Sequence, residues 1–154
     1  MNDLPYRENV CIILLNKENK FFLAERADFP GTWQFPQGGV EKGFSEEENA
    51  YKELEEETSV KKENVKFLKI LKFVNEYEFH EVPKHFVGKF KGQRQRYYVF
   101  EFLGEDLDID VQSVEHPEFI AWKWVGSDEL LSVADPVRIH AYEKVINELK
   151  GLEY

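Results

Sequence analysis

The sequence has little of several features that would restrict its class. Its 154 residues include one cysteine, Cys11, so no disulfide can form within the chain. No apolar run approaches the roughly 18–20 residues that a membrane-spanning helix needs. The first residues also lack the basic start and apolar segment of a secretory signal. We therefore expect a cytoplasmic protein with no membrane contact, in which Cys11 is a small buried side chain.

Basic residues are also scarce, because 20 Lys and Arg stand against 30 Asp and Glu, for a formal net charge of -10. A protein that coats nucleic acid needs a positive surface to displace counterions. General DNA binding is therefore not expected. A polyphosphate substrate stays compatible with the charge, since bound divalent cations reverse the sign of an acidic site.

Aromatic residues, by contrast, are abundant and make up 15% of the chain. A chain of this length can bury roughly two-thirds of its unfolded surface, so the core needs neither a disulfide nor structural zinc. No repeat, low-complexity tract or Pro/Ser-rich linker interrupts the sequence. We expect residues 1–154 to form a single domain. The sequence predicts no particular oligomeric state.

Hydrophobic patterns predict the element order β-β-(β)-α-β-β-β-α. Strands are expected at residues 9–16, 21–25, 33–35, 65–79, 93–103 and 121–125, with a turn at 36–39. Helices are expected from residue 45 to about 58, at 127–133, and at 136–149 with Pro136 in the first turn. Both faces of the strand at 93–103 are largely apolar, which is typical of a central strand. This order predicts an α+β domain with a mixed sheet between helical layers, an α/β/α sandwich.

Three carboxylates on the first predicted helix indicate a metal site. Ser45 and Glu48 have the spacing of a capping box, which places the helix start. Glu53, Glu56 and Glu57 stand at i, i+3 and i+4, so they share one face with Cβ atoms about 5–6 Å apart. Like charges this close repel one another unless a cation binds them, and oxygen ligands of this kind suit Mg²⁺.

The residues before the helix favour this interpretation over a solvated acidic face. Adjacent Gly38 and Gly39 in the predicted turn indicate either a positive φ or a close approach of backbone to another group. No such feature accompanies the other acidic residues of the helix, for which a solvated face is the favoured interpretation. These are Glu46, Glu47, Glu48 and Glu55.

Residues 38–60 resemble the Nudix box, Gly-x5-Glu-x7-Arg-Glu-U-x-Glu-Glu-x-Gly-U, in which U is a bulky aliphatic residue. The matching positions are Gly38, Glu53, Leu54, Glu56, Glu57 and Val60. The resemblance implies the Nudix fold, with a catalytic loop–helix–loop. It also implies hydrolysis of a phosphoanhydride bond with Mg²⁺, or alternatively Mn²⁺. The metal ligands it implies are Gly38, Glu53, Glu56 and Glu57.

Three positions depart from the box. Phe44 stands where the family has Glu, Lys52 where it has Arg, and Ser59 where it has Gly. We hypothesise that the family's Glu and Arg form an ion pair, so that Lys52 must find another carboxylate partner here. Lys lacks the planar fork of Arg, and a looser Glu53 with lower activity is expected. Ser59 should alter only the helix exit.

Further motifs resemble the bacterial RNA pyrophosphohydrolases, which overlap with the dinucleoside polyphosphate hydrolases. They lie at residues 6–10, 33–39, 82–84, 92–96, 117–119 and 122–124. The resemblance implies conversion of a 5′-triphosphate RNA end to a monophosphate, the step that begins mRNA decay. It makes Glu53, Glu57 and Glu118 the candidates for the catalytic base, with Glu118 as a further metal ligand. Alternatively, Glu118 is a surface charge at a strand entry.

Candidate substrate contacts fall within the same motifs. The cations are Arg7, Arg26 and Lys84, with Arg94 and Arg96 less favoured, and the neutral donors are Gln34, Gln37 and Gln95. Alternation along the strand puts Gln95 on the face opposite Arg94 and Arg96, and we favour Gln95. Val137 and Arg138 fall where the RNA enzymes hold a base. The alternatives are a surface cation for Arg7, an ion pair for Arg26, and an exposed helix start for Arg138.

Two other functions stay open. A hydrolase for dinucleoside polyphosphates or nucleoside triphosphates would use the same metal site, and the net charge of -10 favours a small substrate. A Nudix-fold binding module without catalysis is suggested by Phe44 and Lys52. The intact Glu53, Glu56 and Glu57 argue against that module.

Overall fold

The structure is a computed structural model that describes residues 3–134, 136 and 138–150. Its strands are β1 (Tyr6–Leu15), β2 (Phe21–Arg26), β3 (Trp33–Gln34), β4 (Gln37–Gly39), β5 (Val65–Glu78), β6 (Gly92–Phe102) and β7 (Phe119–Val125). Its helices are α1 (Glu46–Thr58), α2 (Ser127–Val133) and α3 (Ile139–Leu149). Single 3-10 turns lie at Lys62–Asn64, Lys84–Phe86 and Asp106–Asp108.

The strands form one mixed sheet in the order β3-β2-β1-β6-β5, with β4 paired to β1 and β7 paired to β2. β1 and β6 are parallel, and the other pairs are antiparallel. The prediction that residues 93–103 form a central strand is confirmed. Glu101, the one charge that disturbed this pattern, is only half-buried and lies opposite Lys66 of β5.

Two separate hydrophobic clusters cover the two faces of the sheet. Ile12 and Phe100 pack with Leu54 of α1 on one face. Ile13 and Val99 belong to the cluster on the other face, with α2 and α3. The predicted α/β/α sandwich is therefore confirmed, and the alternation of apolar residues along β1 and β6 is what produces it.

Helix α1 begins and ends as its sequence predicts. The Ser45 hydroxyl accepts from the backbone N–H of Glu48 at 3.1 Å, and the Glu48 carboxylate accepts from the N–H of Ser45 at 2.9 Å. Ser59 ends the helix in the left-handed region with φ 68°, and its hydroxyl donates to the carbonyl of Asp110 at 2.7 Å. This bond to a distant loop stabilises a conformation that Gly would adopt without help.

Two sequence-based boundaries were wrong. The predicted turn at residues 36–39 is instead β4, because Gly38 and Gly39 pair with Val10 and Asn9 of β1. Pro136 was expected in the first turn of the last helix, but α3 begins at Ile139 with Arg138 as its N-cap. Short strands and irregular helix starts depend on contacts distant in sequence, which local patterns do not report.

The C-terminal helix is anchored to the sheet by a carboxylate. Strand β5 shifts register between Ile70 and Val74. There the carboxylate of Glu148 accepts from the backbone N–H groups of Lys72 and Phe73, at 2.7 and 3.1 Å. In the described residues no helix is both long and apolar enough to cross a membrane.

Candidate active site

A cleft of about 1680 Å³ lies between α1, β4 and the segments at residues 77–93 and 113–119. Most of the residues singled out from the sequence line it. They are Arg7, Arg26, Gln34, Gln37, Gly38, Glu53, Glu56, Glu57, Glu118 and Arg138. Residues from distant parts of the chain therefore meet at one place.

Glu53 and Glu57 form a buried acidic pair one helical turn apart on α1. Glu53 is 9% exposed and Glu57 is 6% exposed. Burial, with the neighbouring charge of Glu56, raises the pKa of Glu53 to about 7. Burial, with the charges of Glu118 and Glu53, raises the pKa of Glu57 well above 4.5. Burial and mutual repulsion therefore favour the protonated form of both carboxyl groups in the metal-free protein.

The two carboxyl oxygens of Glu57 have different surroundings. The backbone N–H of Gln37 donates to the Glu57 carboxylate. Glu57 Oε2 is buried and accepts no hydrogen bond from the described residues. A buried carboxyl oxygen without a partner is costly unless a cation or a donor approaches it. No group of three His, Cys, Asp or Glu side chains among the described residues is arranged as a metal site. Two buried carboxyl groups with an unpartnered oxygen suit a cation that takes its further ligands from water and phosphate, as Mg²⁺ does.

Because Gly38 and Gly39 have no side chain, the backbone of β4 lies close to two charged groups. A Cβ atom added to Gly38 would collide with the carboxyl group of Glu53, and one added to Gly39 would collide with the guanidinium of Arg7. Neither glycine has a positive φ. Of the two roles expected for these glycines, close approach is therefore the one that applies.

Arg7 brings a positive charge to the acidic end of the cleft. Its Nη1 donates to Gln93 Oε1 at 2.8 Å, and its guanidinium lies 4.9 Å from the centre of the Phe86 ring. Burial lowers its pKa, while the charges of Glu53, Tyr77 and Glu118 act in the opposite direction. These contacts hold the Arg7 guanidinium in place beside the acidic pair, and a guanidinium is a group that suits a phosphate oxygen.

A chain of buried amides continues from Arg7 to β4. Gln95 donates to Gln37 Oε1 at 2.6 Å and to Asn9 Oδ1 at 3.4 Å, and Asn9 donates to Gln93 Oε1 at 3.3 Å. The sequence pattern favours Gln95 but does not indicate these roles for Asn9 and Gln93. Gln93 stands two residues before Gln95, so both side chains lie on the same face of β6. This spacing is the sequence signal that points to Gln93.

The cysteine belongs to the same buried surface. The Sγ of Cys11 lies 3.5 Å from both Asn9 Oδ1 and Gln37 Oε1. Burial raises its pKa to about 12, which keeps it a thiol and makes it unreactive.

The NUDIX domain family matches residues 5–147. The chain belongs to the NUDIX family. It is 40% identical to an RNA pyrophosphohydrolase of Pelagibacter ubique, over 97% of this chain and 95% of that protein. It is 39% identical to an RNA pyrophosphohydrolase of Rhodospirillum rubrum, over 96% and 89%.

Solved structures share the NUDIX fold. A C. elegans Ap4A hydrolase binary complex aligns with a TM-score of 0.70 at 20% identity, over 94% of this chain and 98% of that chain. The E. coli dihydroneopterin triphosphate pyrophosphohydrolase aligns with a TM-score of 0.69 at 19% identity, over 93% and 99%. At these identities the likeness shows the fold alone.

In this NUDIX protein, Lys52 has the alternative partners that the sequence analysis expected. Its Nζ lies 2.5 Å from Glu56 Oε1 and 3.1 Å from Glu41 Oε1, and 5.6 Å from the centre of the Phe44 ring. The hydrogen bond to Glu56 raises the pKa of Lys52. Glu56 is thus ion-paired, and Glu53 and Glu57 are the buried members of the acidic group.

Asn49, which the sequence analysis missed, connects the NUDIX helix to the strand before it. Its Nδ2 donates to the carbonyl of Gly39 at 3.0 Å, and its Oδ1 accepts from the N–H of Glu41 at 2.9 Å. The side chain is fully buried. It therefore holds the loop–helix junction in the position that places Gly38 on Glu53.

The other substrate-contact candidates from the sequence differ from one another in burial and in their partners. Arg26 lines the cleft but forms a two-point ion pair with Asp28, at 2.8 and 2.6 Å. Arg138 is half-buried, and Gln34 is buried with Oε1 unpaired among the described residues. Lys84 is exposed and outside the cleft lining. Val137 lies outside the described residues.

The two less favoured cations lie on the other face of β6. Arg94 pairs with Glu8 at 2.9 Å and Glu76 at 2.7 Å, and Arg96 pairs with Glu46 at 3.2 Å. The alternation predicted from the sequence is therefore present.

Proposed function

We propose that the chain is a Mg²⁺-dependent RNA 5′-pyrophosphohydrolase, which converts a 5′-triphosphate end to a monophosphate and so begins mRNA decay in the cytoplasm. The main support for this proposal is that the buried Glu53 and Glu57 side chains line the same cleft as Arg7. Relatives at about 40% identity that carry the name RNA pyrophosphohydrolase support the choice of substrate. The family match over residues 5–147 supports a single domain over residues 1–154.

Glu53 and Glu57 would hold the metal, with Glu56, Glu118 and the backbone at Gly38 as further candidate ligands. The unpaired Oε2 of Glu57 and the raised pKa values of the pair favour a cation at this place. When bound, the ion neutralises phosphate oxygens and lowers the pKa of water. Mn²⁺ has the same ligand preference and would serve as an alternative.

The chain's own groups would then do the rest of the chemistry. A carboxylate of Glu53, Glu57 or Glu118 accepts the proton of the attacking water, and a base with a pKa near neutrality is suited to that task. Arg7 binds the phosphate oxygens and is positioned before substrate arrives, because Gln93 and Phe86 hold its guanidinium. Burial around the pair excludes bulk water, which strengthens these interactions.

The nucleotide would extend from the phosphates along the cleft. Gln34 and Gln37 supply neutral hydrogen-bonding groups in the cleft, and Arg26 and Arg138 supply planar cations that can stack on or bond to a base. Gln95 lies behind Gln37, outside the cleft lining, and would act by holding the Gln37 amide. Val137 and Lys84 are retained as candidates from the sequence alone. A dinucleoside polyphosphate would fit the same arrangement, and the net charge of -10 favours such a small substrate.

The deciding experiment measures phosphate or pyrophosphate release from a short 5′-triphosphate RNA, with and without Mg²⁺. We expect release by the wild-type protein and its loss in Glu57→Gln. A diadenosine polyphosphate is assayed in parallel. Cleavage of that compound alone would replace the RNA end by a free dinucleotide as substrate. Nucleotide binding with no turnover of either would favour the binding module.

The double variant Phe44→Glu with Lys52→Arg is expected to raise kcat several-fold at limiting Mg²⁺. The new ion pair would draw residue 52 away from Glu56, which Lys52 now contacts at 2.5 Å, and Arg would bind the new carboxylate at two points. The measurement is kcat as a function of Mg²⁺ concentration, with both single variants as controls. An unchanged or lower kcat in the double variant would count against this role of Lys52.

A further inference from the structure

Four aromatic rings form one wall of the cleft, outside both core clusters. This aromatic wall consists of Phe79, His85, Phe86 and Phe90, and all four residues line the cleft. Phe79 stacks on Phe86 with ring centres 5.8 Å apart and planes 17° apart. His85 lies 4.0 Å and Phe90 5.6 Å from the Phe86 ring. Rings that do not join a core yet face a polar cleft require another explanation.

The segment that carries the wall is closed by backbone hydrogen bonds. The N–H of Phe79 donates to Lys91 at 2.9 Å, and the N–H of Lys91 donates to Pro5 at 3.0 Å. Within the segment, Phe90 donates to the carbonyl of Phe86 at 3.1 Å. The rings are therefore arranged before any ligand binds, which lowers the entropic cost of stacking on them.

Arg7 connects the wall to the acidic pair. One side of its guanidinium faces Phe86, and the same group lies against Gly39 and within the electrostatic influence of Glu53 and Glu118. A phosphate held by Arg7 would thus place the attached nucleoside next to the wall. Arg7 and Phe79 both lie against the Phe86 ring, which is half-buried. The neighbouring His85 ring contacts Phe86 at a tilt of 56° and is exposed. His85 offers the ring surface open to a ligand.

We propose that the aromatic wall is a nucleobase-stacking subsite, in which the base of the nucleotide that carries the polyphosphate stacks on His85. The proposal rests on the proposed function. The wall follows β5, at the opposite end of the sheet order from Arg26 and Gln34 of β2 and β3. It is therefore separate from the nucleotide contacts considered at Arg26 and Gln34. Every base presents a π face, so the subsite adds affinity without selecting one base.

The test compares two 5′-triphosphate RNAs that differ only in whether the first nucleotide has a base or is abasic. Wild type is expected to prefer the base-bearing RNA by about tenfold in kcat/KM, the scale of one base–aromatic stack. His85→Ala should lose this preference through KM, and His85→Phe should retain it. All three proteins should hydrolyse the abasic RNA at equal rates. A diadenosine polyphosphate assayed alongside shows whether the stacked base belongs to RNA or to a free dinucleotide.

Two outcomes would contradict the proposal that the aromatic wall binds a base. These are an equal preference in wild type and His85→Ala, or a loss of rate in His85→Ala that is the same on both RNAs. Binding of ATP and of inorganic tripolyphosphate is measured by calorimetry in parallel. A preference for ATP that disappears in His85→Ala supports the wall even without turnover, whereas equal binding of both compounds refutes it. Absence of RNA hydrolysis by the wild type refutes only the proposed function.

Discussion

Replacing Glu57 by Gln is expected to lower phosphate release by at least about 100-fold and to make the metal-free protein more stable. The loss follows because a buried carboxylate that binds metal or accepts a proton contributes about 10²–10⁴-fold to rate. The gain follows because Gln has nearly the same shape and carries no charge beside Glu53 and Glu118. Function and stability therefore oppose each other at this position.

The gain in stability depends on pH in a definite direction. Folding raises the pKa of Glu53 from 4.5 to about 7 and raises that of Glu57 well above 4.5. The folded state then holds protons that the unfolded state releases above pH 4.5, so the stability of the metal-free wild type falls as pH rises through this window. The difference between Glu57→Gln and wild type should be small at pH 4.5 and should grow as the pH rises above it.

The measurement is thermal unfolding in a chelator at a series of pH values. At pH 8 the Tm of Glu57→Gln should exceed that of the wild type by at least about 2–4 °C, which corresponds to roughly 1 kcal/mol in a chain of this size. Glu47→Gln, an exposed position on the same helix, is the control and should show neither effect. A lower Tm for Glu57→Gln at pH 8 would show that the carboxylate is not under electrostatic strain.

Gly38→Ala and Gly39→Ala are expected to damage different steps of the reaction. The new methyl group of Gly38→Ala collides with the Glu53 carboxyl, and that of Gly39→Ala collides with the Arg7 guanidinium. Each obstructed group is the end of a flexible side chain, so it can move aside and the fold survives. A catalytic group displaced by about 1 Å costs about 100-fold in rate, so Gly38→Ala should lower kcat by that factor. Gly39→Ala should mainly raise KM.

The pair is measured by steady-state kinetics over a range of Mg²⁺ concentrations. Gly38→Ala should also require more Mg²⁺, since Glu53 is a candidate ligand, whereas Gly39→Ala should not. Gly126→Ala is the control, because no atom lies within 4 Å of its added Cβ. Identical defects in the two variants would mean that β4 moves as a unit. The contacts of Gly38 with Glu53 and of Gly39 with Arg7 would then not have separate effects on kcat and KM.

The parts of the molecule that could be predicted are those fixed by local spacing. The capping box of Ser45 and Glu48 marks the start of α1, and i, i+4 spacing is enough to bring Glu53 and Glu57 together. Alternation along β6 similarly separates Gln95 from Arg94. Each of these signals lies within a few residues, where backbone geometry determines the outcome.

The parts that could not be predicted depend on where distant segments meet. β4 reads as a turn because its three residues gain their structure only by pairing with β1. The sequence gives Asn49 no feature that distinguishes it from other helical residues, although its side chain forms hydrogen bonds with the backbone of Gly39 and Glu41 across the loop. His85 and Phe86 have no pattern at all in sequence, since their surroundings are set by the path of the segment between β5 and β6.

Strand β5 lies at one edge of the sheet, where free backbone groups can recruit a strand from a second molecule. Its two register shifts interrupt the row of donors that such a strand would need. The Glu148 carboxylate occupies the N–H groups of Lys72 and Phe73 at one of them, and Lys66 and Lys69 add charge along the same edge. The contact that anchors the last helix therefore also protects the chain against edge-to-edge aggregation.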